Sequence, residues 1–196
     1  MKRGAATIAI VTTRLAKERR VLALSAAACA LLAYLQRYDD APARLAGCLV
    51  FGALIGIAAA LLQRGAGRFR ELELCEQSAP LYGRELARAT AIVPCIIVSA
   101  ALAAYWIVST LYARPDAAAI ALSIFAVYAG TLVALCAGVR SGAARLLYVA
   151  MACAVPALAF ALEFTSSALL ALAACALAGF IALRQYGEAL ARYDPL

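Results

Sequence analysis

The stretch Leu45-Ala-Gly-Cys-Leu-Val-Phe-Gly-Ala-Leu-Ile-Gly-Ile-Ala-Ala-Ala-Leu-Leu-Gln63 runs for nineteen residues without a charge. Its length matches the roughly 20 residues that one α-helix needs to cross a bilayer. The run is continuous and rich in Ala and Leu, so it cannot be a strand of a membrane barrel, which alternates apolar and polar residues. Working outward, five more apolar blocks appear at residues 21–35, 89–112, 117–139, 146–162 and 167–183, and nearly every charge lies between blocks. The composition agrees. Of the 196 residues 66% are apolar and 15% charged, against roughly 45–50% and about 25% in soluble domains.

These blocks predict an all-α membrane protein with six transmembrane helices. The expected organisation is an amphipathic entry helix at 1–20, a six-helix domain at 21–184 with a cytoplasmic segment at 64–88, and a tail at 185–196. The first block follows a basic arm and could be mistaken for a cleaved signal. However, the Gln-Arg-Tyr-Asp-Asp after Leu35 offers no small-x-small cleavage site.

Lys and Arg set the orientation, because positive charge beside a span is held on the cytoplasmic side. With both termini inside, fifteen of the eighteen basic residues fall on the inner side, and only Arg37, Arg44 and Arg114 fall outside. The net charge of +7 therefore reads as membrane topology. A nucleic-acid surface would gather those cations on one soluble face with stacking aromatics. Tyr105, Trp106 and Tyr112 near the outer end of the third span are expected at the interface, where amphipathic rings settle.

Several chemistries fall away. The chain has no His, which removes the usual base of a nucleophilic triad and the commonest metal ligand. Its seven cysteines form no C-x-x-C, and all but Cys75 sit in apolar blocks, where thiols act as small hydrophobes. The only lysines, Lys2 and Lys17, are not in a nucleotide-binding G-x-x-x-x-G-K context. Asp39-Asp40-Ala41-Pro42-Ala43-Arg44 is similar to the opening motif of membrane head-group transferases, but the following span holds no acid for their divalent metals. No metal site and no catalytic residue are expected. Within the spans Glu163 comes nearest to a buried charge, either as an interfacial carboxylate or as a gate.

The segment between the second and third spans is the most informative soluble piece. Over residues 68–79 a helical wheel places Phe69, Leu72, Cys75 and Ala79 on one face and charges on most of the rest. Pro80 ends that helix, Leu81-Tyr82-Gly83 turns the chain, and a helix from Arg84 runs straight into the third span. Glu71, Glu73 and Glu76 would be repelled by anionic lipid and suit a basic protein partner. A second amphipathic stretch, residues 7–20, carries Ile8, Val11 and Leu15 at helical spacing and is expected along the inner leaflet.

This layout resembles the permease subunits of type-2 ABC exporters, nearest in size to the cytochrome-c-biogenesis exporter B subunit family. The likeness rests on Arg68-Phe69-Arg70-Glu71-Leu72-Glu73-Leu74-Cys75-Glu76-Gln77-Ser78-Ala79-Pro80-Leu81, on the Pro156-bearing fifth span and on the Ala182-Leu183-Arg184 exit. The resemblance implies an inner-membrane exporter subunit that is not itself an enzyme. ATP and Mg would bind a separate P-loop ATPase chain docked on Glu71, Leu72, Leu74, Glu76, Pro80 and Tyr82, with Arg14, Lys17 and Arg20 in support. It also implies a homodimer or a similar permease partner, an amphipathic or lipid-like cargo, and a gate near Pro156 and Glu163. The link at 163–166 is very short, so separate outer helices would require the fifth span to break at Pro156. Gly52 and Gly56, spaced G-x-x-x-G, suit close packing either between subunits or within one. Two other classes remain open: a substrate-capturing subunit of a vitamin-type importer, and a small membrane-embedded enzyme.

Overall fold

Hydrocarbon offers backbone amides no partner, so a chain this apolar must satisfy its hydrogen bonds within helices. The computed structural model describes residues 3–64, 84–114, 116–140, 142–165 and 167–192, and no strand occurs among them. Its helices are α1 (Arg3–Lys17), α2 (Arg19–Leu35), α3 (Ala41–Arg64), α4 (Arg84–Thr110), α5 (Ala117–Gly138), α6 (Gly142–Thr165) and α7 (Ala168–Arg192), with a 3-10 turn at Gln36–Tyr38 after α2. Six helices among the described residues are long and apolar enough to cross a bilayer. The chain is a multi-pass membrane protein.

Successive spans alternate in direction, so the start of α2 and the end of α7 lie at one end of the bundle, here the terminal end. Residues 36–40, 111–114 and 167 lie at the other, the far end. Each helix that starts at the far end has a side chain on its free amides. Asp40 Oδ1 accepts from Ala43 N at 3.2 Å, Asp116 Oδ1 accepts from Ala118 N at 3.2 Å, and Ser167 Oγ accepts from Leu170 N at 3.3 Å. These caps satisfy donors that the first helical turn leaves open. At the terminal end α6 starts on Gly142, whose φ of 61° favours a residue without Cβ.

Helix α5 occupies the centre, packed against α3, α6 and α7, while α4 lies along α2 and also touches α1, α3, α5 and α7. Inside a bilayer, helices associate through close van der Waals packing, which small residues allow. The buried positions of α5 follow that rule, with Ala126, Ala129, Gly130, Ala134 and Ala137 among them. Gly52 and Gly56 of α3 do the same from the opposite side. A Cβ on Gly52 would reach Val127 at 2.8 Å, and one on Gly56 would collide with the Thr131 hydroxyl. The G-x-x-x-G pair therefore packs within one subunit.

The far-end aromatics depart from expectation. Tyr112 is exposed, but Tyr105 is fully buried and Trp106 half-buried. The Tyr105 phenol directs its proton toward two acceptors, Gln36 Oε1 at 2.8 Å and the Arg44 carbonyl at 2.7 Å. Gln36 in turn donates through Nε2 to the Ala43 carbonyl at 3.3 Å. A tyrosine that ties α4 to the α2–α3 turn is held inside because its polar tip finds partners there. The tail also differs from a separate segment. Helix α7 continues past Arg184 to Arg192 because Gln185 and Tyr186 are engaged by neighbouring helices.

Tyr105→Phe should lower stability by about 1–3 kcal/mol, since it leaves two acceptors without a donor. Tyr112→Phe should change it by less than about 0.5 kcal/mol. Thermal unfolding of both variants in detergent tests the contrast, and equal shifts would refute the Tyr105 tie.

Candidate functional site

At the terminal end α3 finishes at Arg64 and α4 begins at Arg84. The docking residues expected between them, Glu71, Leu72, Leu74, Glu76, Pro80 and Tyr82, lie outside the described residues. Their mechanical surroundings are described. From Arg84 the chain is helical without interruption to Thr110, through Pro94. Its 27 residues make a rod of about 40 Å at 1.5 Å per residue, as the sequence predicts for a helix running straight into the third span.

The entry helix is packed on that rod. Ile10 of α1 is buried, and Val11 rests with Val21 and Leu22 on the cluster formed by Ala59, Val93 and Ile97. Helix α1 thus touches protein along one face while Ile8 stays exposed. This is a closer attachment than a helix lying only on lipid. The three basic residues expected to support a partner part company here. Arg14 is only 4% exposed, whereas Lys17 and Arg20 are exposed. Lys17 and Arg20 thus lie at the surface, and Arg14 lies within the fold.

Sequence reasoning missed the polar ties at this end. Thr90 and Tyr186 hydroxyls lie 3.1 Å apart, linking α4 to α7. Cys136 Sγ donates to the Ala182 carbonyl at 3.2 Å, and Tyr148 donates to Gln185 Oε1 at 2.8 Å. The Arg140 guanidinium stands 5.5 Å from the Tyr148 ring centre. Helix α7 is thereby fastened to α4, α5 and α6 through one stretch, residues 182–186. An isolated Tyr in an Ala-rich helix gives no periodic signal of this kind.

A second feature lies between α3 and α6. A cleft of about 310 Å³ is walled by Leu49, Ala53 and Ile57 on one side and by Cys153, Pro156 and Phe160 on the other. These walls carry alkyl and aromatic groups and one thiol, that of Cys153, so the cleft can hold alkyl chains.

Pro156 is buried on the cleft wall, and α6 does not break there. Separate outer helices after the fifth span are therefore absent among the described residues. Because proline lacks an N–H, the Ala152 carbonyl one turn earlier loses its helical donor. That carbonyl meets α5 at Gly130, where an added Cβ would lie 2.9 Å from its oxygen. The other expected gate residue, Glu163, stands two turns further along α6, roughly 10 Å away along the axis. One of its carboxylate oxygens, Oε2, is buried and has no hydrogen-bond partner among the described residues. Pro156 and Glu163 share a helix face without forming one site.

No family model, curated protein or solved structure matches this chain.

Gly130→Ala should destabilise the protein by about 1–3 kcal/mol through overpacking. In a Pro156→Ala background the Ala152 carbonyl regains its helical donor and can turn away, so the same substitution should cost at least about 0.5 kcal/mol less. A double-mutant cycle on unfolding in detergent measures this coupling, and strict additivity would remove it.

Proposed function

We propose that this chain is the membrane-spanning permease subunit of an ATP-driven exporter of the type-2 ABC class, working in the cytoplasmic membrane. ATP and Mg belong to a separate P-loop ATPase that docks on residues 68–82, and two permease subunits form the working pair. The observation that carries this reading is mechanical. The acidic segment at 65–83 connects directly to α4, a helix that crosses the membrane unbroken and has α1 packed on its entry side. A displacement delivered at Arg84 is passed along a continuous helix through the bundle, which is what energy transfer from a separate engine requires.

The cleft between α3 and α6 supports an amphipathic or lipid-like cargo, because its wholly apolar walls suit acyl chains. Near-absence of charge within the spans also argues for an external energy source. Ion-coupled transporters place ionisable groups near the midplane, and here the acids that fall within α6 and α7, Glu163 and Glu188, lie toward the ends of those helices.

Replacing Leu72 and Leu74 together by Asp should weaken copurification of a P-loop ATPase from solubilised membranes by roughly tenfold or more, with the six-span fold intact by circular dichroism. Undiminished association would overturn the docking assignment. Cargo turnover by the purified chain alone in vesicles would overturn the division of labour.

A further inference from the structure

At the far end the chain gathers one basic group among three tyrosines. Arg37 lies in the 3-10 turn after α2, with its guanidinium carbon 4.3 Å from the ring centre of Tyr34 and 4.5 Å from that of Tyr38. Tyr112, just past the end of α4, meets Tyr34 edge to face with ring centres 6.1 Å apart. All three rings are exposed, Tyr38 most of all at 85%, and Arg37 is half-buried between them. The cluster therefore opens toward whatever surrounds the bundle.

The state of the guanidinium says what class of group it would take. Its Nη1 donates to the Tyr34 carbonyl at 3.2 Å, and the Tyr38 hydroxyl also lies within its reach. A guanidinium carries more N–H groups than these two partners use. Among the described residues Arg37 takes part in no ion pair, although Asp39 stands just beyond it in the chain. Asp40, the next acid, caps α3. Stacking on two rings fixes the guanidinium in place, so less freedom is lost when its open edge binds an acceptor. A planar fork of this kind matches the paired oxygens of a phosphate.

The surface beneath the cluster says what carries that phosphate. On α2, Leu31 and Leu35 are 59% and 63% exposed, and at helical spacing they continue the face of Tyr38 toward the bilayer centre. Helix α4 packs along α2 and runs in the same direction, and at its far end Ile107 and Leu111 are exposed as well. Alkyl surface thus leads directly into a basic centre ringed by tyrosines, and such rings settle at the depth of lipid head groups. A molecule that fits both parts has a phosphate joined to hydrocarbon chains.

We propose that Tyr34, Arg37, Tyr38 and Tyr112 form a binding site for one phospholipid of the leaflet at the far end. Its phosphate rests on the Arg37 guanidinium, and its acyl chains lie along Leu31, Leu35, Ile107 and Leu111. The tyrosines act by positioning Arg37. The site stands independently of the transport reading, because it uses neither the cleft nor the segment at 65–83.

The test uses the full chain purified in a mild detergent. Native mass spectrometry measures retention of added phosphatidylglycerol and of a diacylglycerol with the same chains but no phosphate, and equilibrium dialysis measures binding of radiolabelled inorganic phosphate. Wild type should retain one phosphatidylglycerol in preference to the diacylglycerol and should bind inorganic phosphate far more weakly. Arg37→Gln should weaken phosphatidylglycerol retention about tenfold, the loss typical of a hydrogen bond between charged groups. Tyr38→Ala should weaken it about threefold, as expected for one exposed cation–π contact. Because Tyr38 is so exposed, its removal leaves packing intact and carries the test even where Arg37→Gln folds poorly. Arg114→Gln, which removes an exposed charge at the same end from outside the cluster, should change nothing. The proposal is overturned if wild type retains the diacylglycerol as well as phosphatidylglycerol, or if folded Arg37→Gln or Tyr38→Ala retains lipid like wild type. It is equally overturned if Arg114→Gln loses as much as Arg37→Gln, which would mark diffuse attraction, or if inorganic phosphate binds as tightly as the lipid.

Discussion

A helix surrounded by other helices in a bilayer gains nothing from excluding water, so it must be held by close contact. Helix α5 is in this position along most of its length, and the rest of the bundle follows from how its neighbours reach it. On one side α3 approaches through Gly52 and Gly56, which sit against Val127 and Thr131. On another side α6 presents the Ala152 carbonyl to Gly130. Thr131 can sit so close to α3 because its hydroxyl bonds back to the Val127 carbonyl at 2.7 Å and leaves no polar atom unpaired toward its neighbour. Small residues on facing surfaces replace the hydrophobic driving force that a soluble core would use.

Around that centre, polar side chains do the fastening at the two ends. Tyr105 joins α4 to the α2–α3 turn at the far end, and residues 182–186 join α7 to three helices at the terminal end. Near mid-bundle a further tie links the Ser99 and Tyr128 hydroxyls, and Ser99 also donates to the Cys95 carbonyl at 2.7 Å. The apolar middle can therefore be nearly featureless in sequence while the ends specify which helix lies beside which.

The six spans were legible because charge is excluded from hydrocarbon and the excluded positions stand out as breaks between blocks. Helix starts were legible only in part. Asp40, Asp116 and Ser167 are recognisable caps, whereas α6 begins at Gly142, before the apolar block does, because its first turn tolerates Arg145 at the membrane edge. Tyr105 could not be told from Tyr112, since a ring near a span end fits both an interface and a buried tie, and only the positions of Gln36 and Arg44 decide. The burial of Arg14 was hidden for the same reason. Amphipathic spacing says that one face is apolar and does not say whether lipid or α4 meets it. The cleft was illegible because it depends on the separation of two helices far apart in the chain. Pro156 was readable as a special position, but the partner of its freed carbonyl was not.

The links within the second half of the chain are very short: residues 139–141 join α5 to α6, and residues 166–167 join α6 to α7. So tight a connection gives α6 and α7 little scope to settle into the bilayer one after the other. A two-residue join commits α6 and α7 to lie antiparallel as neighbours, so the placement of either one leaves the other almost no choice of position around α5.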